Sequence, residues 1–359
     1  MTLVLGQLLS RRVLAPEHLR MRVCTDESLC AKAGCMKKQD KEQLWWCPLT
    51  AFLDGKALQA AGVVMPKDES KYLRNKAIKI VKAAYENFYN PQQLWLDSIP
   101  PSVKPVADGT IPADSKFDFW SYHLGCELSY FRQKQEHWTA RRKEKKVFSF
   151  LTEFGGIKDE VLDLDGTPHN IGHTPIQWAT PAGIRAAQSV WERGVVYNSQ
   201  ITTFASAVSE QLTASSETGS YLCVHLRRGD FIKAGWLGKA SDLTFVAANI
   251  QQRLQRGEAL YISTDEQNPA DRDVFRKLGA RFFNDFRPMF TEKAFGASAN
   301  LLGFEDYVGL VEQSICASRS ARMFMGSKCS SYTGNILNLR RRYLGDESEV
   351  YVISEEDTK

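Results

Sequence analysis

Three apolar runs in the second half of the chain, YLCVHL (221–226), ALYIST (259–264) and RMFMG (322–326), are separated by segments of helical period. This alternation constrains the fold more than any other feature of the sequence. A strand, a crossover helix and a second parallel strand pack back onto one sheet with a fixed right hand. Repeated strand–helix order therefore predicts an α/β fold, a parallel sheet covered by helices. Helices are expected around 242–256, 269–278 and 305–318, and again from about Tyr332, with a short strand ARFFN at 280–284.

In open parallel sheets ligands bind at the carboxyl ends of the strands. Three polar clusters fall there: HLRRGDF, TDEQN and GSKCSSYTGN. The last opens a helix whose unpaired N–H groups and dipole suit a phosphate, with Ser330, Ser331 and Thr333 beside them. An arginine at the end of the first strand offers a planar fork that matches phosphate oxygens. Together these groups describe a diphosphate site. Arg228 is expected to face away from Arg227 and to form a structural ion pair, because strand neighbours point to opposite sides. The Arg-Gly-Asp tripeptide at 228–230 follows a buried strand rather than capping an exposed loop, which argues against a receptor motif.

The first half is less regular. An amphipathic helix is expected from Met1, with Leu3, Val4, Leu8 and Leu9 on one face, then a short strand at Val13-Leu14-Ala15 stopped by Pro16. Residues 49–66 read as a helix and a strand, and Lys71 to Tyr89 carries helical periodicity. Stretches rich in Pro, Gly, Asp or Ser at 98–118 and 163–183 read as loops, and 184–212 as helical segments. His169 and His173, in the second loop, are read as exposed loop residues.

Charge excludes little. A net +4, from 46 basic against 42 acidic residues, gives no support to nucleic-acid binding by bulk charge. The run ARRKEKK at 140–146 reads as a solvated helix face. No window offers the ~18 uninterrupted apolar residues of a membrane helix. The 359 residues leave room for two domains of ordinary size.

Cys24, Cys30, Cys35 and Cys47 fall in one polar stretch, with five, four and eleven residues between them. That spacing fits no common zinc pattern and no histidine lies among them, and disulfides are favoured over free thiols. Disulfides imply an oxidising compartment. Cys223, Cys316 and Cys329 lie in or beside apolar segments and are read as core thiols.

HLRRGDF, YISTDE and MFMGSKCSSYTGNI, in this order and spacing, resemble the GDP-fucose protein O-fucosyltransferase superfamily over residues 205–345. The resemblance is nearest its protein O-fucosyltransferase 2-like branch. LLSRRVLAP and WWCPLTAFLDGKALQAAGVVMP are more weakly similar to that family's N-terminal segment. The resemblance implies a GT-B-like α/β architecture, two Rossmann-like domains facing a cleft. Residues 1–205 would be the acceptor-side domain and 206–350 the GDP-fucose-binding one. It implies inverting, metal-independent transfer of fucose from GDP-fucose to Ser or Thr hydroxyls of a folded protein domain, such as a cysteine-rich repeat. The lumen of the endoplasmic reticulum or Golgi would be the setting, with no cofactor beyond the donor, no nucleic acid and no membrane span.

Carried onto this sequence, the family motifs make Arg227 the catalytic residue, a guanidinium that stabilises the leaving diphosphate. His225, Arg227, Asp230, Asp265, Ser330, Ser331 and Tyr332 become the donor-binding set. Plainer readings stand beside these: His225 as a satisfied strand histidine, and Asp265 as a cap for the next helix. Three features depart from the family. Its Gly-rich loop, with the glutamate proposed as general base, would lie before Met1, so the N-terminal domain is expected to lack that loop and its first strand. Glu312 stands in VEQSIC where relatives tend to have Asp, and the four-cysteine stretch has no counterpart. A transferase for another sugar or a glycan acceptor, and a truncated, non-catalytic GDP-fucose binder, remain as alternatives.

Overall fold

The computed structural model describes residues 13–14, 18–21, 24–33, 35–37, 45–64, 78–80, 161–163, 189–235, 237–327, 330–345 and 349–353. The expected N-terminal helix, the loop at 98–118, His169, His173, the basic run at 140–146 and Cys329 lie outside them. The chain divides into two compact units.

The first unit comprises Met1–Glu17 and Leu53–Val196. Val13–Leu14 pairs in parallel with Val63–Val64. Between them helix Gly55–Ala60 starts at Asp54, whose carboxylate accepts from the Lys56 and Ala57 N–H groups. Ile78–Ile80 is a strand, paired in parallel with Val161–Asp163. This corrects the helical reading of 71–89 at those positions; two β-branched residues flanking a lysine suit a pleated ribbon better than a helix.

The second unit comprises His18–Phe52 and Tyr197–Lys359, so the cysteine-rich segment groups with the second half of the chain. Its four cysteines form Cys24–Cys30 and Cys35–Cys47, the disulfide reading favoured by their spacing. Trp45–Pro48 pairs antiparallel with both His18–Met21 and Met36–Lys37. The segment docks where the Thr25 amide and hydroxyl both donate to the Gly303 carbonyl, at 2.8 and 3.0 Å. Trp45 meets Phe304 edge to face at 5.8 Å.

The rest of this unit is a parallel α/β layer. In chain order its elements are α1 (Ser199–Ala214), β1 (Tyr221–Leu226), α2 (Gly229–Ala234), α3 (Leu243–Arg253), β2 (Ala259–Thr264), α4 (Pro269–Arg276), β3 (Ala280–Arg281), α5 (Glu305–Ala317), β4 (Ala321–Ser327), α6 (Ser331–Leu344) and β5 (Glu349–Ile353). The sheet order is β3-β2-β1-β4-β5, every neighbour parallel. The strand expected at 280–284 ends at Arg281. Asp285 turns back to accept the Phe282 N–H and pairs with Arg276, closing a tight turn instead. β5 lies where no strand was expected, and it completes the sheet edge beyond β4.

Because β1 is buried on both faces, its alternate residues fill two different cores. Leu222, Val224 and Leu226 pack with Val246 and Ile250 of α3 and Phe275 of α4. Burying each such side chain stabilises the fold by roughly 1.5–3 kcal/mol. Tyr221, Cys223 and His225 face the other way. Tyr221 Oη donates to the Ile315 carbonyl at 2.7 Å and sits 2.8 Å from Ser209 Oγ. Cys223 is bonded to Cys316 of α5. That corrects the reading of these two as free core thiols; 93 residues separate them, and only the fold brings β1 against α5. Arg340, fully buried, donates at 2.9 Å to both the Cys316 and Ala321 carbonyls, holding the turn from α5 into β4. Among the described residues no helix is long and apolar enough to cross a membrane.

β4 and α6 approach closely at Gly326. A Cβ there would strike the Thr333 methyl, and would come within 2.9 Å of Thr333 Oγ1 and 3.0 Å of Phe324 Cζ. Gly326→Ala is therefore expected to lower stability by about 1–3 kcal/mol, the usual cost of overpacking. Urea denaturation checks this, with the slope unchanged and the midpoint lowered.

Candidate functional site

Strand order 3-2-1-4-5 reverses direction between β1 and β4, and a crevice opens beyond their carboxyl ends at such a switch point. Ser327, the last residue of β4, joins the two strands: its hydroxyl accepts the Arg227 N–H at 3.0 Å and donates to the His225 carbonyl at 3.3 Å. β2 is tied to the same point, since Thr264 Oγ1 donates to the Leu226 carbonyl at 2.8 Å.

α6 points its N-terminus at this crevice. Ser330 caps it in an extended conformation, and its own side chain makes no capping bond. Ser330 is buried and Ser331 exposed. Thr333, also buried, turns its Oγ1 to within 2.8 Å of His225 Nδ1. Tyr332 turns inward: its ring stacks on His225 at 4.4 Å, its hydroxyl donates to the Gly309 carbonyl at 2.8 Å, and Ser263 Oγ lies 3.2 Å away. A ring so placed packs against the end of β1 and is part-buried.

Arg227 is half-buried and held by two carboxylates, Asp230 at 2.9 Å from Nε and Asp265 at 3.1 Å from Nη1. Asp265 also accepts the Arg228 N–H at 2.7 Å, and a Cβ on Gly229 would lie 2.8 Å from its Oδ2. It thus grips the backbone after β1, while Asn268 caps α4. Arg228 points the other way. Buried, it bonds Glu266 at 2.9 Å and the Ser241 carbonyl at 3.2 Å, a structural pair on the side opposite Arg227.

Five of the seven singled-out residues line this one end of the sheet: Arg227, Asp230, Asp265, Ser330 and Ser331. His225 and Tyr332 lie beneath it as support. Two supporting residues were not foreseen. Ser327 carried a weak signal as a hydroxyl ending an apolar strand. Glu266 carried none, since its role appears only once Arg228 is seen to point at it.

Two ionisable groups, the buried His225 and the part-buried Glu312, lie under the crevice. Burial, with the Arg227 charge adding to it, pushes the His225 imidazole down to about 3, so it stays neutral and acts as a hydrogen-bonding spacer. Glu312 accepts from Tyr261 Oη at 2.9 Å, and burial pushes its carboxyl up to about 7. The two act on stability with opposite signs. Between about pH 3 and 6.5 the unfolded chain binds the histidine proton and the folded one does not, so stability rises with pH. Between about pH 4.5 and 7 the folded chain holds the Glu312 proton and the unfolded one does not, so stability falls with pH.

No protein-family model matches the chain, and no curated protein matches it. Among solved structures the chain is similar to POFUT1 in complex with GDP, at 12% identity and a TM-score of 0.49, over 98% of this chain and 92% of that one. It is also similar to POFUT1 in complex with GDP-fucose, at 12% identity and a TM-score of 0.45, over 98% and 91%.

Replacing Glu312 by Gln removes the falling contribution. Stability of Glu312→Gln is expected to rise with pH between about 4.5 and 6.5 more steeply than that of the unmodified chain, by up to about 1 kcal/mol per pH unit. Denaturation at several pH values across that window measures the difference. Parallel curves would show that Glu312 does not hold a proton in the folded state.

Proposed function

We propose that this chain binds GDP-fucose in the β1/β4 crevice and transfers fucose, with inversion and without a metal, to a Ser or Thr hydroxyl of a folded protein domain. One observation carries the reading. HLRRGD and SKCSSYTG, the segments that resemble the O-fucosyltransferase superfamily, come together at the switch point of one sheet, where Ser327, three residues before the α6 N-cap, accepts the Arg227 N–H. The diphosphate lies against the α6 N-terminus and competes with Asp230 and Asp265 for Arg227. Asp230 is well exposed and gives way at little cost.

In the transfer step the acceptor oxygen bonds to the anomeric carbon as the bond from that carbon to the β-phosphate oxygen breaks. The electron pair stays on the phosphate, and the acceptor proton passes to a base. Charge develops on the β-phosphate oxygen, so a guanidinium there stabilises the transition state more than the ground state. His225 and Tyr332 act as support: they fix the height of α6 against β1. A GT-B architecture, the protein O-fucosyltransferase 2-like branch, a cysteine-rich acceptor repeat and a lumenal setting belong to the same proposal, and rest on the motif resemblance and on the paired cysteines.

Calorimetry with GDP and GDP-fucose tests the donor site. Arg227→Ala is expected to weaken GDP binding about tenfold or more, the worth of a charge-assisted phosphate contact. If the folded, unmodified chain binds neither GDP nor GDP-fucose, the reading is wrong. Transfer to folded thrombospondin-type or EGF-like repeats then separates an enzyme from a binder. Donor binding with no transfer to any acceptor would leave the non-catalytic alternative.

A further inference from the structure

Where β1 runs out, side chains replace the ladder. Backbone pairing of β1 with β4 ends at His225 and Gly326, while β4 goes on beside β5 to pair Ser327 with Ile353. At this end three successive backbone groups are taken by side chains from the neighbouring strand ends. The Leu226 carbonyl accepts from Thr264 Oγ1 at 2.8 Å, the Arg227 N–H donates to Ser327 Oγ at 3.0 Å, and the Arg228 N–H donates to Asp265 Oδ1 at 2.7 Å. Thr264 and Asp265 hold the segment from the β2 side, and Ser327 holds it from the β4 side. Ser327 is 4% exposed, and its hydroxyl also donates to the His225 carbonyl at 3.3 Å. A hydroxyl suits the place because one oxygen both donates and accepts.

The ties on the Arg227 side chain are of another kind. Asp230 and Asp265 hold the guanidinium at 2.9 and 3.1 Å, from side chains that are 61% and 28% exposed. A bound diphosphate takes the guanidinium from these carboxylates, and ion pairs of such exposure are exchanged at little cost. The bond from the Arg227 N–H to Ser327 involves no guanidinium nitrogen, so it outlasts that exchange. Its acceptor is shielded from water, which makes the bond stronger than a surface one. With its N–H pinned, the Arg227 backbone keeps one conformation while the guanidinium changes partners. Ser327 stands three residues before the α6 N-cap, so the same bond ties that backbone to the segment that opens α6.

We infer that Ser327 is a positioning residue for donor binding: its hydroxyl, bonded to the Arg227 N–H and the His225 carbonyl, keeps Arg227 aimed at the diphosphate after the guanidinium has left Asp230 and Asp265. The inference rests on the reading of the crevice as a diphosphate site. Ser327 acts through Arg227 and not by touching the donor. A binding group held about 1 Å too loosely is present but no longer effective, so the support of Arg227 matters as much as its charge. One consequence separates this role from a general one. The effect of removing the hydroxyl on nucleotide affinity must vanish when the guanidinium is absent. A loosening of the whole sheet end would instead weaken binding by the same factor with or without Arg227.

A double-mutant cycle read by calorimetry with GDP tests this in the intact chain. Ser327→Ala is expected to weaken GDP binding about fivefold, the worth of one neutral hydrogen bond. On an Arg227→Ala background the same change is expected to alter affinity by less than about twofold. Ser327→Thr and Ser327→Val match each other in size and differ in the hydroxyl. The threonine variant is expected to bind GDP as the unmodified chain does, and the valine variant as weakly as Ser327→Ala. Without ligand, hydrogen exchange of the Arg227 amide, followed by NMR, is expected to quicken about fivefold in Ser327→Ala. The Cys223 and Val224 amides inside β1 keep their protection, which also shows that the variant folds. Equal losses from Ser327→Ala on both backgrounds, equal affinities of the threonine and valine variants, or an unchanged Arg227 exchange rate would overturn the inference and leave the crevice reading standing. If the unmodified chain binds no GDP, the crevice reading falls and the inference falls with it.

Discussion

The contact between His225 and Thr333 is the one on which the rest of the site depends. It joins the end of β1 to the first turn of α6, and it forms only because β4 carries no side chain at Gly326. With α6 set at that height, Ser327 reaches both the Arg227 N–H and the His225 carbonyl. Tyr332 reaches under β1 to stack on the imidazole. A neutral imidazole suits this role, because a buried imidazolium would have to be desolvated and would face the Arg227 charge.

The two arginines that follow His225 show how one strand end serves two purposes. Arg228 turns into the protein and ties the loop after β2, the first turn of α4 and the Ser241 loop together through Glu266, Asp271 and a carbonyl. Arg227 turns outward and is held in readiness by exposed or half-exposed carboxylates. The inner pair is shielded from water and salt, while the outer contacts are the kind a phosphate can displace. Rigidity and availability are thus assigned to neighbouring residues by the alternation of a strand.

Much of this was legible in the sequence. Strand–helix alternation after residue 220 gave the parallel sheet, and the polar ends of three strands gave the place where a ligand belongs. The opposite directions of Arg227 and Arg228 continue the alternation of β1 past its last residue, Leu226. What the sequence withheld depends on distance along the chain or on rotation about a helix axis. Cys223 and Cys316 lie 93 residues apart, and no local pattern says that they touch. Tyr332 begins a helix, and whether it faces the crevice or the core depends on how α6 is rotated against β1. Asp265 resembled a helix cap because it precedes α4, yet its shortest bond crosses to the backbone just after β1. The cysteine-rich segment reads as part of the first half, but Gly303 and Phe304 draw it into the second unit.

The grip of Asp265 on the backbone after β1 bears on how relatives of this chain can diverge. Gly229 lies so near Oδ2 that a methyl group at 229 would push the Asp265 carboxylate out of its place. A side chain gained at 229 therefore turns this carboxylate aside or favours a shorter residue at 265, and either way loosens the hold on the Arg228 amide and on one side of Arg227. Drift at an unremarkable glycine would be recorded as covariation with an aspartate 36 positions downstream, in step with any change in how the outer arginine is held.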